Sequence, residues 1–233
     1  MARNTRFTVI GAGHGGKAMA AHLALMGFSV TLYNRTAHNV IVIKSRGGIE
    51  LESYDGGPRG FGALKHVTSD MAEALSEADV IMAVVPSTAH ADIAGSCAPH
   101  LRDGQIVVLH PGRTGGALEF VKVLRDNGCQ ADVTVAEAET LIYASRSEGP
   151  AQARIFGIKE AVPLAALPAT RTPRVLEALS DAYPQFIDGT SVLHTGLNNM
   201  GAIFHPALTL LNAGRIESPG GEFQFYIEGV TPS

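Results

Sequence analysis

The sequence predicts an α/β protein with a Rossmann-type, doubly wound and mostly parallel sheet, followed by the start of an all-helical second domain. Three observations predict it. Apolar runs alternate with helical patterns through residues 7–136, the rhythm of βαβ units. The run at residues 80–85 carries no polar residue, as a strand covered on both faces requires. From Leu197 to about Gly214 the pattern is helical throughout.

The elements follow in order. Residues 7–10 read as a first strand, and residues 16–26 as its helix, ended by Gly27. Residues 29–33 are a second strand. A looser stretch, rich in Gly and Pro, occupies residues 47–62 and holds one short strand at 49–53. Residues 71–77 form a helix with Ser69 or Asp70 as cap. The buried run at 80–85 precedes a helix at 91–101, and Asp103-Gly104 turns the chain into a strand at 105–109. Residues 115–127 are an amphipathic helix with Leu118, Val121 and Leu124 along one side, and 133–136 a further strand. Short β segments follow at 155–158, 162–166 and 186–187, with a helix at 174–182. These elements divide the chain into a dinucleotide-binding domain, residues 1–190, and the N-terminal part of a helical substrate domain, residues 191–233. Some 40 residues are near the lower limit for an independent fold, so the second part is expected to pack on the first domain, to pair with another chain, or to be the start of something longer.

Composition excludes several classes of function. The formal charge is -4 and no block of basic residues occurs, so neither nucleic acid nor an anionic membrane is an expected partner. Cys97 and Cys129 form no metal-spaced cluster, so no metal site is expected and both read as reduced thiols. No apolar run is long enough to span a bilayer, and the N-terminus has no secretory apolar region. A cytoplasmic setting is the default expectation.

The first strand runs straight into Gly11-Ala12-Gly13-His14-Gly15-Gly16. Gly11, Gly13 and Gly16 fit G-x-G-x-x-G, with a strand before and a helix after. Gly11 permits the sharp turn, Gly13 lets a pyrophosphate approach the backbone, and Gly16 lets the helix pack close to the sheet. The N–H groups beside His14 and Gly15 then face the phosphates. The plainer reading is a glycine-rich β–α turn. Such folds usually place a carboxylate at the end of strand two to hold the ribose of NAD. Here Tyr33-Asn34-Arg35-Thr36 stands in that place. Arg35 suits a 2′-phosphate, with Asn34 and Thr36 donating beside it, which favours NADP over NAD. Alternatively Arg35 is an ordinary exposed loop residue. The loops holding Val85-Pro86 and Pro111-Gly112 lie at strand C-termini, where both can approach the nicotinamide half of the cofactor.

In the last part, Asn198, Ala202, His205, Thr209 and Asn212 share one helical face, opposite Ile203, Phe204, Leu208, Leu210 and Leu211. Pro206 follows the histidine and denies the carbonyl of Ala202 its hydrogen bond, which predicts a kink. Histidine suits the proton transfer that accompanies hydride transfer to a carbonyl or imine. By itself the pattern favours a histidine satisfied in a helix interface.

Several stretches resemble the opine dehydrogenases of the octopine and nopaline dehydrogenase type. They are the glycine loop, Pro111-Gly112-Arg113-Thr114-Gly115-Gly116, Arg146-Ser147-Glu148-Gly149-Pro150, and most specifically Leu193-His194-Thr195, His205-Pro206, Thr209-Leu210-Leu211-Asn212 and Glu228-Gly229-Val230-Thr231-Pro232-Ser233. The resemblance covers the whole chain. It implies reductive condensation of an amino acid with a 2-oxo acid such as pyruvate, through an imine reduced by a nicotinamide cofactor. It implies an acid/base role for His205 and places Asn198 near the substrate. Arg146 is suited to a substrate carboxylate, although a surface arginine is an equal reading. Two departures stand out. Close members of the family end strand two on an acidic residue, so the resemblance alone implies NAD, whereas Asn34-Arg35-Thr36 argues for NADP. The family's helical domain also runs past Ser233 and carries there the aspartate that orients the histidine, so no residue here takes that role. A second reading is therefore a truncated or non-catalytic nucleotide-binding module, its apolar helix face covered by a second copy, as in a homodimer, or by another subunit. A third is a hydroxy acid dehydrogenase on the same sheet.

Overall fold

The computed structural model describes residues 5–54, 57–198, 200–220 and 223–230. The chain divides into two compact units, Met1–Leu197 and Asn198–Ser233.

In the first unit β1 (Arg6–Ile10) leads into α1 (His14–Leu25), β2 (Ser29–Tyr33) and α2 (Ile41–Arg46). Next come β3 (Gly48–Ser53), β4 (Gly60–Ala63), β5 (His66–Thr68), α3 (Met71–Leu75), β6 (Val80–Ala83), α4 (His90–Cys97), β7 (Ile106–Leu109) and α5 (Gly116–Asp126). The unit closes with β8 (Thr134–Ala138), β9 (Tyr143–Gly149), β10 (Gln152–Ile158), β11 (Val162–Leu167), α6 (Thr172–Leu179), β12 (Phe186–Asp188) and α7 (Val192–Leu197). Every side chain of β6 and β7 is buried, as their unbroken apolar runs require.

The main sheet has the order β12-β11-β8-β7-β6-β1-β2-β5. From β5 to β8 all pairs are parallel; β11 pairs antiparallel with β8, and β12 pairs parallel with β11, so these two strands run against the rest. The strand order reverses at β1 and β6, and ligands of open α/β sheets bind outside the carboxyl ends of the strands at such a point. The expected doubly wound, mostly parallel sheet is therefore present.

A second sheet, of order β4-β3-β10-β9, lies against α1. Helix α1 is thus covered on two sides, and Ala18, Met19, Ala20, Ala21 and Leu23 are all fully buried. Its small residues let both sheets come close. A Cβ on Gly62 of β4 would lie 2.6 Å from the backbone oxygen of Ala21. Gly62, within the stretch that reads as loose, therefore marks a strand pressed on a helix. Strand β3 pairs in parallel with β10, Glu50 opposite Gln152, a partner too distant in sequence to leave a local signal. Beneath α1, the Tyr143 hydroxyl lies 2.8 Å from Nδ1 of His22 and donates to the hydroxyl of Tyr183 at 2.8 Å. Burial pushes the His22 pKa down to about 4, so the ring is neutral at pH 7.

The first compact unit runs on to Leu197. Val192 is buried in the core of the first unit and Thr195 is tied to Glu137 of β8, so α7 belongs with the sheet. The second unit holds α8 (Met200–Leu211), α9 (Ala213–Ile216) and α10 (Phe225–Glu228). Helix α8 continues through Pro206. Asn212 ends it and ties α10 back, its amide donating to the carbonyls of Leu208 and Gly229 at 2.9 and 3.0 Å. Of the apolar side of α8 only Leu208 is buried, while Ile203, Phe204, Leu210 and Leu211 are exposed. Among the described residues no helix is long and apolar enough to cross a membrane.

The close approach of β4 to α1 has a direct test. Gly62→Ala should lower stability by about 1–3 kcal/mol in urea titration, because two backbones cannot yield to a methyl group. Gly157→Ala, where a Cβ would meet nothing within 4 Å, should change it little. Equal effects at the two positions would contradict this packing.

Candidate functional site

The site begins where β1 ends. Gly11 has φ +108°, and a Cβ there would lie 2.5 Å from the carbonyl oxygen of Val84, so the loops after β1 and β6 are in contact. Val85 is part of the same contact, and Pro86 beside it is exposed. A Cβ on Gly16 would lie 1.8 Å from the oxygen of Gly11, which only glycine permits. A Cβ on Gly13 would meet nothing within 4 Å. Gly13 is the N-cap of α1 without a side-chain cap, and the first turn has no acidic residue. The loop is thus tight below, open above, and ringed by N–H groups at the positive end of a 12-residue helix. These residues fit the pyrophosphate of a dinucleotide.

Three side chains hold this cradle. Asn34 accepts from the N–H of Ala12 at 3.2 Å and donates to the carbonyl of Thr36 at 3.0 Å. It is therefore a clamp on the loop. The ammonium of Lys17, buried one turn below, donates to Ser147 Oγ at 2.8 Å and to the Gly149 carbonyl at 2.9 Å. Burial lowers its pKa. The N–H of Ser147 donates to Nδ1 of His14 at 2.8 Å. The stretch from Arg146 to Pro150 is thus strand β9 and its turn, fastened over the glycine loop. The alternation of β9 puts Arg146 on the exposed face, opposite Ser145 and Ser147, so the strand directs it away from the loop. Arg35 and Thr36 are exposed, and Arg35 lies 3.4 Å from Asp92 of α4.

The loop after β7 is built on two buried titratable groups. His110 Nε2 accepts from the N–H of Ile142 at 2.9 Å, and burial takes its pKa down to about 3. Gly112 lies so close to Glu137 that a Cβ would be 2.4 Å from that side chain's Cβ. Pro111, between them, is half-buried. Glu137 accepts from the N–H of Ala117 at 2.8 Å and from the Thr195 hydroxyl at 2.8 Å. Burial raises its pKa, and the two hydrogen bonds oppose that shift. Lys17, Ser147 and Glu137 escaped the sequence reading. A lysine directly after the last loop glycine and a carboxylate inside an apolar strand were the signals available.

In the second unit His205 and Asn198 are both exposed. The hydroxyl of Tyr226 lies 3.0 Å from Nε2 of His205, and the Tyr226 ring is parallel to that of Phe204 within 7°. Nothing in the sequence reading paired Tyr226 with the histidine. Asn212, expected on the polar stripe, is spent on the turn to α9 and α10. The side chain of Ala202 and the motif end Thr231-Pro232-Ser233 lie outside the described residues. Among the described residues no cluster of His, Cys, Asp and Glu could hold a metal.

The strand order and the open glycine cradle define a dinucleotide-binding domain. Residues 6–113 match the family model for the NAD binding domain of 6-phosphogluconate dehydrogenase. Residues 188–233 match the model for the alpha-helical domain of NAD/NADP octopine/nopaline dehydrogenase. The opine dehydrogenase of Arthrobacter sp. (strain 1C) is 44% identical over 236 residues, an alignment covering 100% of this chain and 64% of that protein. An octopine dehydrogenase solved with NADH and L-arginine superposes with a TM-score of 0.76 at 21% identity, over 93% of this chain and 56% of the other. A yersinopine dehydrogenase with NADP+ bound gives 0.74 at 17% identity, over 92% and 56%. Both show the shared fold. The chain is a relative of the opine dehydrogenases, as its motifs imply, and it spans 64% of the length of the Arthrobacter enzyme.

Glu137 gives a pH test. Its folded pKa is raised, so its contribution favours the fold below the ordinary glutamate value and is lost as pH rises through the folded pKa. Glu137→Gln, which keeps an acceptor for Ala117, should flatten the fall in urea midpoint as pH rises above the ordinary glutamate value. An unchanged slope would show that Glu137 is ionised at little cost.

Proposed function

We propose that the chain serves an opine-type dehydrogenase reaction, the NADPH-dependent reductive condensation of an amino acid with a 2-oxo acid such as pyruvate. What supports this reading most is the whole-length likeness to an opine dehydrogenase, which joins an open glycine cradle to a histidine-bearing helix on one chain. Bound nicotinamide supplies the hydride that reduces the imine carbon. The residues named above do the rest. The first turn of α1 binds the pyrophosphate, with Lys17 adding positive charge beneath it. The loops at Val85-Pro86 and Pro111-Gly112 flank the nicotinamide half. His205 exchanges a proton with the substrate nitrogen; Tyr226 occupies Nε2, which leaves Nδ1 for that exchange. Asn198 belongs near the substrate, and Arg146 is the weaker candidate for a carboxylate because β9 turns it outward. NADPH is preferred to NADH because Arg35 stands where a ribose-binding carboxylate would. A cytoplasmic setting, in which Cys97 and Cys129 stay reduced, belongs to the same proposal. The motifs resemble those of N-(1-D-carboxylethyl)-L-norvaline dehydrogenase, which makes a small aliphatic amino acid the first to try.

The exposed apolar residues of α8 favour a second reading, a nucleotide-binding module that assembles with a second copy or another chain. One assay separates the readings. The protein is incubated with NADPH or NADH, pyruvate and a panel of amino acids, and loss of reduced cofactor is followed. Turnover that requires the amino acid, reduced about 100-fold or more by His205→Ala with NADPH affinity unchanged, supports the first reading. Binding without turnover favours the module. Turnover with the oxo acid alone means a hydroxy acid dehydrogenase.

A further inference from the structure

Arg35 already has a partner. Its Nη1 lies 3.4 Å from Oδ2 of Asp92, a residue 57 positions away. Arg35 follows β2, and Asp92 stands in the first turn of α4, after β6. Strands β2 and β6 are the two neighbours of β1, so the pair spans the end of the strand that leads into Gly11. The side chains are 74% and 69% exposed. An ion pair so exposed adds little stability. Helix α4 is held instead by Ile93, Ala94 and Cys97, all buried. What the pair does set is the charge an incoming anion meets.

We propose that Asp92 is a specificity-determining residue, an internal carboxylate that competes with a cofactor 2′-phosphate for the Arg35 guanidinium. The proposal rests on the reading of Arg35 as the 2′-phosphate site. A phosphate engages a guanidinium best through two parallel N–H donors. Asp92 occupies one of them at Nη1 and places a negative charge beside the guanidinium that the phosphate would engage. A cofactor with a free 2′-hydroxyl brings no charge and leaves the pair closed. Asp92 therefore weakens binding of the phosphorylated cofactor and leaves the other untouched, which narrows the preference that Arg35 creates.

Cofactor affinity is measured by fluorescence titration with NADPH and with NADH, for the unaltered chain, Asp92→Asn, Arg35→Ala and the double variant. Asp92→Asn should tighten NADPH about fivefold at low salt and change NADH by less than about twofold. Salt at about 0.5 M should shrink the gain, because the interaction is between exposed charges. In the Arg35→Ala background the gain should vanish. A NADPH-to-NADH ratio unmoved by Asp92→Asn, while Arg35→Ala lowers it, overturns the role of Asp92 alone. A ratio unmoved by Arg35→Ala overturns the reading of Arg35 and the proposal with it. Both side chains are exposed, so melting temperatures should stay within about 2 °C and serve as the folding control.

Discussion

The packing of α1 between two sheets is the constraint on which the rest of the first unit depends. A helix covered on two sides must be small and apolar almost all round, and Ala18, Ala20 and Ala21 meet that demand. The same helix must present an open N-terminus to a ligand. The two demands meet at the glycine loop. Gly16 touches the Gly11 carbonyl below, and Gly13 faces open space above. The second sheet then contributes directly to the site, because β9 brings Ser147 onto His14 and Lys17. A structural layer thereby becomes the wall of a binding loop.

The polar groups around the loop divide into those that hold and those that face solvent. Asn34, Lys17, His110 and Glu137 are engaged with backbone or buried neighbours. Arg35, Thr36 and His205 are exposed. This division changes the meaning of the Asn34-Arg35-Thr36 stretch. Only Arg35 there carries a charge outward, and Asp92 meets it. In the proposed reading, cofactor preference is a contest between two anions for one cation, where sequence alone offered a single arginine.

The main sheet was largely legible because its signals are local. Continuous apolar runs gave β6 and β7, and the glycines gave the β1–α1 turn. The second sheet was not legible, for a physical reason. Its central pairing joins β3 to β10 across about a hundred residues, and its Gly62 serves close packing while reading as loop. Strand β9, with its alternation of half-buried serines and exposed charges, carries too few apolar residues to announce itself. At the site, the motif glycines were readable, but the side chains that hold them were not. Lys17 acts through a strand 130 positions away, and Tyr226 meets His205 through a turn made by Asn212. Such pairs depend on tertiary contact. Helix α7 packs with the first unit through the same kind of contact, since Thr195 is claimed by a buried glutamate.

The central claim is that the first turn of α1, held between the sheets, receives the cofactor's pyrophosphate. Amide hydrogen exchange tests it most directly. With NADPH added, the backbone N–H groups of His14, Gly15 and Gly16 should exchange more slowly, while those of α6, on a far element, keep their rates. Protection confined to other segments, with these amides unchanged under saturating cofactor, would contradict the account.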